Sequence, residues 1–344
     1  MLKQIRDILF PKSKVRRSLD TSLDAFDQKI YNLDSLVYPN QAADPRATFN
    51  SGLPVEQQSM ASFNFNQTIQ IAPTMFHMQR HIARSGQYYK RSFVPTQHEA
   101  RSAFFEELEA LAYRLGASDI RYAQIPGDSI FQGKGIPYKN AIVFTVNMDQ
   151  KRIETAPSFQ ACHEVLDGYR ELGRISNALT DLLRANGFAA YPGQSVGGLT
   201  DYVRIAELAG LGIIGYHGLL ISPRDGARLR INVVYTNITN LPITQENPHA
   251  WVRDFCAMCR KCVRKCPAKA IYQQPEVEGS GRVQCIDSKK CLGYFTMNYG
   301  CAVCVAVCPF SHTGYDQIKQ RFKGNPDAPK YFIPLEEVRP LMSN

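Results

Sequence analysis

Eight cysteines of this 344-residue chain fall into two sets, each closed by a Cys-Pro step. Cys256, Cys259, Cys262 and Cys266 follow C-x2-C-x2-C-x3-C, with Pro267 next. Cys291, Cys301, Cys304 and Cys308 follow, with Pro309 next. Thiolates at such tight spacing let one short loop present three sulfurs to one 4Fe-4S cluster, and the fourth ligand comes from the other set. The spacing therefore predicts Cys256, Cys259, Cys262 and Cys308 on one cluster, and Cys266, Cys291, Cys301 and Cys304 on a second. The second set is irregular, because Cys291 is displaced upstream, and Cys285 is a rival for its place. Zinc sites use separated C-x2-C pairs, whereas here three cysteines run in one series. A disulfide framework needs an oxidising compartment. Cys162 stands apart and reads as a buried structural thiol.

The chain is long enough for one large core plus a small appendage. It contains no run of about 18 apolar residues, so no membrane span is expected. The basic stretch Met1 to Asp20 includes Arg16 and Arg17 but no apolar segment follows, so an export signal is not expected. These readings predict a cytoplasmic protein. Net charge is +9. Part of it sits among the cluster cysteines, at Arg253, Arg260, Lys261, Arg264, Lys265 and Lys269. This run suits a docking face for an acidic electron carrier such as a ferredoxin or flavodoxin. A solvated surface weighs equally, and nucleic acid is the weaker reading.

Along the chain, 1–95 reads as an irregular N-terminal arm, with Pro39 to Gln70 rich in Asn, Gln, Ser and Pro. Met75, Phe76, Met78, His77 and His81 suit either a pocket lining or a short buried helix. Thr96 and Glu99 form a capping-box pattern, predicting a helix from Thr96 to Leu115. Strands are predicted near 120–124, 141–147, 189–191 and 230–235, and helices over 158–185 and 200–208, by apolar period. Gly127 to Pro137 is read as a loop. The alternation gives an α/β (α+β) domain over 96–250. A ferredoxin-like segment occupies 251–312, and a proline-punctuated tail, 313–344, is expected to wrap the core. Gly210-x-Gly212-x-x-Gly215 follows a helix rather than a strand, the wrong setting for a dinucleotide fingerprint.

The run Ala209-Gly-Leu-Gly-Ile-Ile-Gly215, then Gly218-Leu-Leu-Ile-Ser-Pro223, Gly226, Arg230 and Val234-Tyr-Thr236, resembles the core of the reductive dehalogenase family, which includes epoxyqueuosine reductase. The order of pieces is similar from about Ala141 to Phe310, and the segment "IDSKKCLGYF" favours Cys291 over Cys285. The resemblance implies a nitroreductase-like domain binding cobalamin base-off, joined to a bacterial ferredoxin-like module with two 4Fe-4S clusters. It agrees with the lack of D-x-H-x-x-G, the motif that supplies a histidine to cobalt.

The resemblance further implies reduction of a small-molecule substrate, with electrons from a separate low-potential donor. Gly210, Gly212, Gly215 and His217 are then candidate cofactor contacts, although a surface histidine is the simpler account of His217. Tyr169 is the candidate proton donor, with Arg230 as its basic partner and Arg228 as runner-up. Epoxyqueuosine reductases carry an aspartate acid in an R-D-Y-H segment. Here Asp167-Gly168-Tyr169-Arg170 puts the aspartate out of register, which favours cleavage of a carbon–halogen bond over an epoxide. A plain electron-transfer protein without a substrate is the third expectation, and the α/β domain is more than it needs.

Overall fold

In a computed structural model the described residues are 29–30, 32–39, 63–244, 246–277, 282–322 and 324. Two helices open it: α1 (Phe65–Gln87) and α2 (Ser102–Arg114). The α/β region follows with β1 (Asp119–Gln124), β2 (Asn140–Asn147), α3 (Gln150–Glu154), α4 (Phe159–Ala185) and β3 (Ala190–Pro192). It continues with α5 (Tyr202–Leu208), β4 (Ile213–Ile214), β5 (Leu220–Ile221) and β6 (Leu229–Thr236). The cysteine segment holds α6 (Trp251–Cys259), α7 (Lys261–Lys265), β7 (Ile271–Val277), β8 (Val283–Ile286), α8 (Ser288–Met297) and α9 (Val303–Ala306). Helix α10 (Tyr315–Arg321) comes last among the described residues.

The central sheet has the order β1-β2-β6-β3, and every pairing in it is antiparallel. Strand β2 is apolar without alternation because both of its faces are covered. Ile142, Phe144 and Val146 pack with Leu108 of α2 and Leu172, Ile175, Leu179 and Leu183 of α4. Ala141 and Val143, on the other face, pack with Ile205 and Ala206 of α5. The α4 leucines and isoleucine recur at helical spacing, so one stripe of a 27-residue helix covers the sheet. Ser158 caps its first turn by accepting from the Ala161 N–H, and Gly187 just beyond its end takes φ +82.

Three expectations need correction. The segment read as an irregular arm contains a 23-residue helix, α1, from Phe65. A full capping box, Asn64 with Gln67, starts it, and it packs along α4. The pattern at Thr96 and Glu99 does not start a helix; α2 begins at Ser102. The backbone N–H groups of Thr96 and Gln97 instead donate to Gly187 O, so this segment clasps the end of α4. The tail is helical over Tyr315–Arg321, and 325–344 lie outside the described residues, as do 1–28 and 40–62 of the arm. Among the described residues no helix is long and apolar enough to cross a membrane.

A third apolar cluster joins the cysteine segment to the α/β domain. Met148, Ile213, Tyr216 and Ile221 meet Val252, Val305, Phe310 and Tyr315 there. Gly226, at φ +59, lies under this junction, and a Cβ on it would sit 2.1 Å from Phe310 O. The Arg228 guanidinium donates to Ser311 O at 2.9 Å and to Met148 O at 2.7 Å, clamping the same joint. Arg228 is therefore spent on the interface.

Candidate iron-sulfur and active site

Helix α6 delivers Cys256 and Cys259, and Arg260 then turns into the left-handed region (φ 45) to start α7, which carries Cys262. The second set repeats the device: Cys301 and Ala302 are left-handed (φ 49 and 62), and α9 carries Cys304. Among the described residues, all five non-glycine positions with positive φ lie in the cysteine segment. Such strain persists only where the surroundings impose it, and it gathers at functional sites.

The thiols fall into two neighbouring groups. Burial pushes Cys262 and Cys308 up to about 12. Cys262 is raised further by Cys256 and Cys259, and Cys308 by Cys262 and Cys259. Cys256 is raised by burial first and by Cys308 next. In the other group, burial lifts Cys291 to about 11, with added repulsion from Cys301 and Cys266. Cys304 is raised by burial, then by Cys291 and Cys301, and it also feels Cys262 across the gap. So many buried thiols cannot ionise together without compensating positive charge, which bound iron supplies. Backbone N–H groups already point at several sulfurs: Tyr216 at Cys256, Phe310 at Cys308, and Ala270 at Cys266, the last at 3.3 Å. The four thiols of the first group line one small cavity. Four cysteine thiols converging on one site are the donor set of a 4Fe-4S cluster, so the residues fit that group.

Cys285 does not line that cavity, although it lies near enough to act on Cys256. Buried on β8, it directs its Sγ to Gly215 O at 3.6 Å, and burial raises it to about 12. Of the basic run, Arg253 is buried and ion-paired to Glu207 at 2.8 Å, whereas Lys261, Arg264, Lys265 and Lys269 are exposed.

The glycine turn runs onto the first thiol group. A Cβ on Gly212 would meet Ile221 O at 2.2 Å, and one on Gly215 would meet the Ile221 Cδ1 at 2.6 Å, so these glycines let β4 and β5 close. Gly210 takes φ +75 at the end of α5. His217 is not on the surface: it is 3% exposed and lines the cavity of Cys256, Cys259, Cys262 and Cys308. Burial drops its pKa to about 4, so the ring is neutral.

Tyr169 on α4 and Arg230 on β6 come together, with the guanidinium carbon 4.9 Å from the ring centroid. Gly168 makes room, since a Cβ there would touch the Arg230 Cγ at 3.0 Å. Cys162, about two turns earlier on α4, is buried, its thiol raised to about 11 by desolvation against the opposing pull of Arg230. Arg230 Nε is buried with no hydrogen-bond partner. So are both amide atoms of Gln194 and the Ser195 Oγ. Ser195 and His81 border Gly173, one turn along α4 from Tyr169. Sequence reading missed Gln194 and Ser195; the signal was a polar, glycine-flanked loop, Gly193 to Gly198, directly after β3. Buried polar groups without partners are costly, and a polar-rimmed ligand would satisfy them. Asp167 faces other partners, accepting from Thr74 at 2.8 Å and Arg152 at 3.0 Å and pairing with Arg170 at 2.9 Å. A surface hollow that Tyr169 does not line lies against α8 between Ala268 and Asn298.

A 4Fe-4S dicluster domain profile matches residues 255–312. A tetrachloroethene reductive dehalogenase of Sulfurospirillum multivorans is 37% identical over 183 residues, covering 50% of this chain and 36% of that protein. An epoxyqueuosine reductase of Lactococcus garvieae is 31% identical over 147 residues, covering 38% of this chain and 37% of that one. The solved structure of a catabolic reductive dehalogenase, NpRdhA, superposes with a TM-score of 0.67 at 19% identity, over 83% of this chain and 44% of that one. This chain thus spans about a third of the length of the curated relatives it matches. The fold and the thiol pattern define the class of dicluster iron–sulfur proteins. Within it, the chain is similar in sequence, over about half of its length or less, to reductive dehalogenases and epoxyqueuosine reductases.

Proposed function

We propose that the protein is a cobalamin-dependent reductase that removes halogen from a small organohalide. Electrons would come from an external low-potential carrier through two 4Fe-4S clusters. Cys256, Cys259, Cys262 and Cys308 hold one cluster, and Cys266, Cys291, Cys301 and Cys304 hold the other. Repulsion between Cys262 and Cys304 supports two clusters close enough for a short electron path. Gln194, Ser195 and Arg230 Nε are the groups suited to the polar rim of a corrinoid, and when bound it supplies the two-electron reducing chemistry.

The observation that carries the reading is the Arg230 cation over the face of Tyr169 beside those unpartnered groups. Tyr169 donates its phenolic proton to the carbon that loses halide, and Arg230 stabilises the phenolate left behind. The half-buried setting limits water as a competing donor. The glycine turn serves the site by shaping the hairpin that leads to His217. A tetrachloroethene dehalogenase as relative, and Asp167 held by a threonine and two arginines, support halide over epoxide chemistry. The epoxyqueuosine reductase relative keeps an epoxide as the second reading.

The test is anaerobic turnover of cofactor-loaded protein with a chemical reductant, reading chloride or bromide release from haloaromatic and haloalkene panels. Halide release that disappears in Tyr169→Phe, with iron content unchanged, is the expected result. Halide release unaffected by that substitution overturns the donor assignment. Reduction of an epoxide without any dehalogenation overturns the substrate class.

A further inference from the structure

We propose that His217 donates an Nε2–H hydrogen bond to the cluster held by Cys256, Cys259, Cys262 and Cys308, and thereby raises that cluster's reduction potential. The inference rests on the cluster reading above and adds a residue outside the cysteine pattern. Its basis is geometric. The Leu219 backbone N–H donates to His217 Nδ1 at 3.1 Å. An amide N–H is only a donor, so Nδ1 must be the accepting nitrogen, and the proton of the neutral ring sits on Nε2.

That Nε2 is buried and has no protein partner. The side chain lines the same cavity as the four thiols. A buried N–H without an acceptor is costly, and the acceptors this cavity would contain are thiolate and sulfide sulfurs. The adjacent Tyr216 backbone N–H already points at Cys256. Tyr216 and His217 thus present two successive donors to one side of the cavity.

The hairpin fixes this placement. The Gly215 N–H donates to Leu219 O at 3.0 Å and Gly215 O accepts from the Gly218 N–H at 2.9 Å, which curls residues 215–219 into a tight turn. The His217 ring lies close against Gly215, where an added Cβ would come within 3.3 Å of its Cε1, so glycine leaves the ring its place. One-electron reduction adds negative charge to the cluster. A fixed donor to its sulfurs stabilises that charge, so the potential rises with the hydrogen bond and falls without it.

The experiment compares anaerobically reconstituted wild type, His217→Phe and His217→Gln. Phenylalanine keeps the ring volume and removes the donor, whereas glutamine can return an N–H near Nε2. Potentiometric EPR titration reads the midpoint of each cluster. Pulsed EPR on protein labelled with ¹⁵N-histidine reads the hydrogen-bonded nitrogen directly. Expected are a lower midpoint for one cluster only in His217→Phe, partial recovery in His217→Gln, and a ¹⁵N coupling that His217→Phe abolishes. Full iron and sulfide in His217→Phe with both midpoints and the ¹⁵N coupling unchanged overturns the proposal while leaving the cluster reading intact. A wild type that takes up no iron and sulfide overturns both. Should His217→Phe fail to fold, the comparison of His217→Gln with wild type decides alone: unshifted midpoints together with no ¹⁵N coupling in the wild type refute the bond.

Discussion

Replacing Glu207 with leucine deprives Arg253 of its carboxylate at a site where both side chains are about 6% exposed. A surface ion pair would be worth about 0–1 kcal/mol, but that figure does not apply at this depth. Breaking a buried pair by removing one partner costs roughly 3–5 kcal/mol, because a buried charge loses its counter-ion. The same Glu207 Oε1 accepts from the Ile214 N–H at 2.8 Å, and stranding that donor pushes the cost to the upper end. At about 2–4 °C per kcal/mol, the melting temperature should fall by roughly 10–20 °C. The damage should fall on the cysteine segment, since Glu207 is on α5 and Arg253 is one turn before Cys256 on α6. Urea unfolding of cluster-loaded protein, followed by circular dichroism and iron content, measures it. Combining Glu207→Leu with Arg253→Met removes both charges, and at least half of the loss should return. A single substitution costing under about 1 kcal/mol, or a double variant whose cost equals the sum of the two singles, would refute the argument.

Other outcomes follow from the same geometry. Cys291→Ser should lose about half of the iron, whereas Cys285→Ser should keep nearly all of it, read by iron and sulfide assay. Arg230→Gln should lower halide release by about 10²-fold or more while the cluster EPR signals persist, since the phenolate then lacks its cation. Gly226→Ala should destabilise the joint between the two parts of the molecule by more than 2 kcal/mol, seen in chemical denaturation, because its Cβ would collide with the Phe310 carbonyl at a left-handed backbone position. His249 is held below its usual 6.5, chiefly by burial. Below that pH the unfolded chain binds the extra proton more readily, so stability should fall as pH drops from about 6.5, and His249→Phe should flatten that part of the profile.

Much of this was legible in the sequence because it is local. The α4 stripe, the doubly covered β2 and the Cys-Pro closures each announce themselves within a few turns of chain. Helix α1 was hidden by its Asn- and Gln-rich lead-in, although Asn64 and Gln67 spell a capping box as clear as the false one at Thr96 and Glu99. The two differ only in tertiary context: Thr96 is held against Gly187 at the end of α4. His217 reads as a surface residue until the hairpin of β4 and β5 folds it under the cysteine segment. Gln194 and Ser195 carry no pattern at all, and only their unpartnered burial marks them. The conjunction of Tyr169 and Arg230, 61 positions apart, was suggested by family resemblance and could not come from spacing.

Elemental analysis of protein prepared without oxygen and offered corrinoid bears most directly on the central claim. The account predicts about eight iron and eight sulfide per chain, together with one cobalt that remains bound through gel filtration. Stoichiometric zinc in place of iron, or a full iron complement with no retained cobalt, would contradict it.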